Sequence, residues 1–173
     1  GLLGTALAFG GVSTFYLLSY LTRNLLDSLI GSLAYVLFPS VGYLIGEVGN
    51  LAGGFDFLPW RMVAAIYYGE GPHIIGLAFI PLSMLLFLKT LRAPTRLRLL
   101  GVVLANSFVL LSSLTAFVFN IFWLLLVFVI EALRDKGQEK LKLFLYVLIL
   151  TFGISFFLYS PSLKLEEKIK FWC

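Results

Sequence analysis

Long apolar runs separated by short polar breaks set the plan of this chain. Leu2 to Leu21 is a long apolar run, broken by Thr22, Arg23 and Asn24. About 20 residues at a rise of about 1.5 Å each match a hydrocarbon core of about 30 Å, so the run predicts a spanning helix. A second run, Leu25 to Ile45, contains Pro39 and Gly42, which kink a helix without forbidding it inside a bundle. Ile74 to Leu91 predicts a third span, ended by Lys89, Arg92, Arg96 and Arg98 with Pro94 as a breaker. From Leu99 to Leu133 the chain stays apolar, and one straight helix over that run, at about 52 Å, would overshoot the core. A hairpin is required, and the patch Ser112, Ser113 and Thr115 predicts its turn, between spans Leu99 to Leu111 and Ala116 to Leu133. Arg134 to Lys142 reads as a charged loop, Leu143 to Tyr159 as a sixth span stopped by Pro161, and Leu163 to Phe171 as a helix-compatible interfacial tail. The expectation is an all-α, polytopic transmembrane bundle of about six spans, forming one transmembrane domain over residues 1–173.

Composition turns that expectation into an exclusion. The 173 residues are 60% hydrophobic and 13% charged, with a mean hydropathy of +0.99, whereas soluble domains average about 45–50% apolar and about 25% charged. The net charge of +4 sits beside helix ends rather than on a solvated face, which points to anionic lipid headgroups and not to nucleic acid. Cys173 is the single cysteine, so neither an internal disulfide nor a multi-cysteine metal site is expected. Gly1 opens inside an apolar run and the end follows Phe171 and Trp172, so the chain reads as an excerpt of a longer protein.

The cations set an orientation. With six alternating spans, Arg23, Lys89, Arg92, Arg96, Arg98, Arg134, Lys136, Lys140 and Lys142 fall on one side, nine of the 13 in the chain. Arg61, Lys164, Lys168 and Lys170 fall on the other, beside Glu47, Asp56, Glu70, Glu166 and Glu167. The nine-cation side is assigned to the cytoplasm of a plasma membrane, so the connector 46–73 is expected outside.

That connector is where chemistry is expected. It carries Glu47, Asp56, Arg61, Glu70 and His73, punctuated by Gly46, Gly49, Gly53, Gly54, Gly69 and Gly71. Carboxylates at interface depth serve as a general base or hold a divalent cation against a phosphate, and Arg and His bind phosphate oxygens. Asp56, Arg61, Glu70 and His73 are the candidate substrate contacts. Plainer readings stand beside this one: Glu47 and Asp56 as solvated charges, Arg61 beside Trp60 as a headgroup anchor, and Phe55, Phe57, Tyr67 and Tyr68 as an interfacial belt. Ionisable residues are almost missing from the spans, which argues against a proton or ion pathway. Asn106 and Asn120 are the strongly polar groups deep in spans, and an interhelical hydrogen bond is expected of them. No Walker motif, dinucleotide turn, zinc-protease motif or nucleophile elbow occurs.

The segment Tyr67-Tyr68-Gly69-Glu70-Gly71-Pro72-His73-Ile74-Ile75-Gly76-Leu77-Ala78-Phe79-Ile80-Pro81-Leu82, followed by Lys89-Thr90-Leu91-Arg92, resembles polytopic glycosyltransferases of the GT-C type. The group includes the 6-pyruvoyl-tetrahydropterin-synthase-related membrane proteins. Ala34-Tyr35-Val36-Leu37-Phe38-Pro39-Ser40 is similar to the span preceding their outer loop, and the likeness covers about residues 1–133. Many relatives carry histidine and proline at the next hairpin turn, where this chain has Ser112-Ser113-Leu114-Thr115. The resemblance implies sugar transfer from a polyprenyl-phosphate-linked donor on the outer side, with membrane lipids and that donor as partners. It also implies a catalytic acid in a loop outside this excerpt, leaving Glu70 and His73 for donor phosphate or acceptor contact. A non-catalytic structural or assembly subunit and a transporter or flippase fragment remain as alternatives.

Overall fold

The computed structural model describes residues 2–37, 71–134 and 137–170, with side chains over 4–37, 71–134 and 137–158. The described residues form six α-helices: α1 (Leu2–Thr22), α2 (Leu25–Leu37), α3 (Gly71–Arg92), α4 (Arg96–Ser112), α5 (Leu114–Arg134) and α6 (Gly137–Lys170). Within them, four stretches are long and apolar enough to cross a membrane: Gly4–Thr22, Gly71–Arg92, Leu114–Arg134 and Gly137–Leu158. The shorter Leu25–Leu37 is also apolar.

The surface is unlike that of a soluble protein. Large apolar side chains are exposed along the helices, including Phe119, Phe122, Trp123, Phe156 and Phe157, the last two at 78% and 77%. Serine, threonine and asparagine are buried among apolar side chains, with Ser28, Ser83, Thr90, Asn120 and Thr151 at 0% exposure. In water such a surface would be one continuous sticky patch; in lipid it costs nothing, and polar groups turn inward to bond one another. The protein is therefore an integral membrane protein.

Local signals fix the helix ends. Arg23 adopts a left-handed φ of 57° between α1 and α2, a conformation few non-glycine residues enter, and its N–H closes on the Ser19 carbonyl at 3.1 Å. Asn24 then caps α2, its side chain accepting from Leu26 N at 3.0 Å while donating to Asp27 at 2.9 Å. Thr95 caps α4 by accepting from Arg98 N at 3.3 Å. Ser113 both ends α4 and begins α5: its N–H donates to the Val109 carbonyl at 3.0 Å and its hydroxyl accepts from Ala116 N at 3.3 Å. The expected hairpin turn thus falls on one extended residue.

Two expected boundaries are corrected. The stretch expected as a charged loop up to Lys142 is helical from Gly137 onward. Pro161 does not stop the last helix, which runs on to Lys170. Proline removes one backbone donor and bends a helix, and the polar, helix-compatible residues that follow it allow the winding to resume.

The chain divides into two compact units, Gly1–Leu85 and Leu86–Cys173, with the boundary inside α3. In the first, α1 and α2 approach at glycines. A Cβ on Gly10 would sit 3.0 Å from the Tyr35 ring and 3.2 Å from Ala78 Cα, and one on Gly11 would sit 2.7 Å from Val36. Phe9 meets Phe79 with ring centroids 4.6 Å apart. The second unit packs α4, α5 and α6 around Val102, Val109, Ala116, Leu124 and Val147, all at 0% exposure. Phe144 stacks on Phe128 at 5.2 Å and meets the edge of Phe87 at 5.8 Å.

Candidate functional site

Of the four expected substrate contacts, Asp56, Arg61 and Glu70 lie outside the described residues, as does Glu47. The part of the second expected span beyond Leu37 lies outside them too. His73 stands in the first turn of α3, half-buried. The helices that flank the connector are tied together: the Tyr35 hydroxyl of α2 donates to the Leu77 carbonyl of α3 at 3.0 Å. Gly10 admits both the Tyr35 ring and Ala78 against α1, so α1, α2 and the first turns of α3 are held side by side within the first unit.

The best-defined charged site lies in the second unit and centres on Glu131, in the last turn of α5. A carboxylate there faces the negative end of the helix dipole, an unfavourable position unless cations surround it. Three do. Arg92, at the end of α3, donates to Glu131 Oε1 from Nε at 3.1 Å and from Nη2 at 2.7 Å. Arg134 reaches the same oxygen at 3.4 Å from one turn along α5. Lys140, in the first turn of α6, donates to the Glu131 carbonyl at 2.6 Å and lies 3.7 Å from Oε2. The Glu131 side chain is 6% exposed, against 35% for Arg92, 65% for Arg134 and 13% for Lys140. One buried carboxylate thus joins three helix ends, in a setting where removing it would strand positive charge with reduced access to water.

Beside this cluster opens a cleft of about 530 Å³, lined by Leu91, Arg92, Pro94, Glu131, Arg134, Glu139, Lys140 and Leu143. Glu131 is an ionisable residue inside a membrane-length helix, one turn from its end. Sequence reading missed it because its partner Arg92 is 39 residues away. The available signal was an acid in the last turn of an apolar helix, three residues before an arginine.

A neutral polar layer occupies the same unit. Asn120 Nδ2 of α5 donates to Asn106 Oδ1 of α4, the interhelical bond expected for this pair. Ser107 of α4 donates to the Thr151 carbonyl of α6 at 3.3 Å. The buried Thr151 and Ser155 hydroxyls have no hydrogen-bond partner among the described residues. The layer links all three helices without charge. Among the described residues no group of three or more His, Cys, Asp or Glu side chains is placed to hold a metal ion.

The chain matches no family model, no curated protein and no solved structure.

Proposed function

We propose that the chain is the membrane-embedded part of a glycosyltransferase-like protein that takes a polyprenyl-phosphate-linked sugar on the extracytoplasmic side of the plasma membrane. In this reading α2 continues beyond Leu37, α2 and α4 both cross, and the six spans place residues 46–73 outside. The observation that carries it is the clamp on the connector: Tyr35 bonds Leu77 across 42 residues of sequence, so a segment rich in carboxylate, arginine and histidine starts and ends on adjoining helices. A clamped, charged connector at the membrane surface suits a lipid phosphate, which needs no nucleotide pocket. The resemblance of residues 67–92 to GT-C proteins points the same way.

The test is transfer from a polyprenyl-phosphate-linked sugar by the full-length protein carrying Glu70→Gln or His73→Ala. The reading predicts a loss of turnover with normal membrane insertion; unchanged turnover in well-folded variants would remove both residues from the site.

A non-catalytic assembly subunit is the second reading, favoured by the uncharged polar layer that does nothing visible beyond joining α4, α5 and α6. Co-purification of a partner whose activity survives loss of the connector charges would decide for it.

A further inference from the structure

We propose that the cleft beside Glu131 is a binding site for the phosphate of an anionic membrane phospholipid. This inference is independent of the sugar-donor reading, since it uses none of the connector residues.

The argument begins with charge. Arg92, Arg134 and Lys140 converge on the single carboxylate of Glu131, and among the described residues Glu139 is the one other acid on the cleft wall. Three cations against two carboxylates leave a positive surplus at the site. That surplus is not fully hydrated, because the Lys140 side chain is 13% exposed. Among the described residues its Nζ makes one hydrogen bond, to the Glu131 carbonyl, and stands 3.7 Å from Oε2, too far for a second. An ammonium carries three donors, so a phosphate oxygen in the cleft would complete what Glu131 leaves undone. Arg134 is held only at 3.4 Å and is 65% exposed, so its guanidinium is able to turn onto an incoming anion at little cost.

The remainder of the wall identifies the source of the phosphate. Leu91, Pro94 and Leu143 present apolar surface beside the cations, which a free inorganic ion cannot use and a glycerol backbone can. The site lies where the membrane-length helices α3 and α5 end and α6 begins, the depth at which headgroup phosphates lie. Basic pockets between transmembrane helices hold anionic headgroups by this combination, each cation near the surface contributing about 1 kcal/mol.

The experiment uses the full chain purified in mild detergent, with phosphatidylglycerol, phosphatidylcholine and inorganic phosphate as probes, and lipid retention read by native mass spectrometry. Phosphatidylglycerol is expected to bind and phosphatidylcholine to wash off. Arg134→Gln should weaken phosphatidylglycerol about fivefold and Arg134→Gln with Lys140→Gln about 25-fold, while Lys142→Gln, an exposed cation off the cleft wall, should leave it unchanged. Arg134 is mostly exposed, so its single variant keeps the test valid even if the double variant misfolds. Equal losses for Lys142→Gln and Arg134→Gln would overturn the site in favour of diffuse charge attraction. Undiminished retention by a folded Arg134→Gln variant would overturn it outright, and displacement of the lipid by millimolar inorganic phosphate would overturn the lipid assignment.

Discussion

The two units of this protein solve the same problem by different means. In lipid, apolar side chains gain nothing by leaving the solvent for one another, so helices associate through close shape fit or through polar bonds. The first unit uses shape: Gly10 and Gly11 bring α1 onto Tyr35, Val36 and Ala78. The second uses polarity: Glu131 collects Arg92, Arg134 and Lys140, and Asn106 meets Asn120 deeper in the helices. A glycine contact fails when bulk is added, whereas a polar contact fails when one partner is removed. The two units should therefore respond to opposite kinds of substitution.

The largest effect is expected at Glu131. Glu131→Gln removes the one charge that three cations share and should destabilise the second unit by about 3 kcal/mol, the low end for breaking a buried pair because Arg92 and Arg134 keep some access to water. With Cys173→Ser as background, a buried reporter such as Thr90→Cys should become reactive to maleimide, while Ser13→Cys in the first unit stays protected. Gly10→Val should do the reverse, exposing Ser13→Cys at a cost of about 2 kcal/mol, since the added bulk meets the Ala78 backbone. Asn120→Leu should cost about 1 kcal/mol, read as a lower detergent-unfolding midpoint with topology unchanged. Smallest of all, Gly31→Ala should stay below about 1 kcal/mol: the added Cβ would lie 2.3 Å from Leu18 Cδ1, the end of a side chain that turns away. A Gly31→Ala variant as disruptive as Gly10→Val would show that the rigid Ala78 contact is not what distinguishes these glycines.

Much of the described helix pattern was legible because spanning segments are written in one dimension. Run length places α1 and α3, the excess length of the run 99–133 demands a hairpin, and the serines supply the turn that Ser113 makes. The asparagine pair was legible too, since two amides in hydrocarbon have few partners but each other. The Glu131 site was not, because its meaning depends on which helix ends meet. Counting cations by loop assigned Arg92, Arg134 and Lys140 to one side of the membrane but could not reveal that one acid gathers them. Pro161 misled for a related reason: a missing donor bends a helix, and only the residues that follow decide whether it ends. Of the expected substrate contacts, His73 alone falls on described structure, so Asp56, Arg61 and Glu70 rest on residue type and spacing.

The sugar-donor proposal presupposes that α3 crosses the bilayer with Gly71 outside and Arg92 inside. Single cysteines at Pro72 and Arg96, each exposed just inside the start and just past the end of this helix, test it in intact cells with a membrane-impermeant maleimide and Cys173→Ser as background. Labelling of Pro72→Cys at once, and of Arg96→Cys only after permeabilisation, is the predicted result. Equal labelling of the two before permeabilisation, or the opposite order, would contradict it.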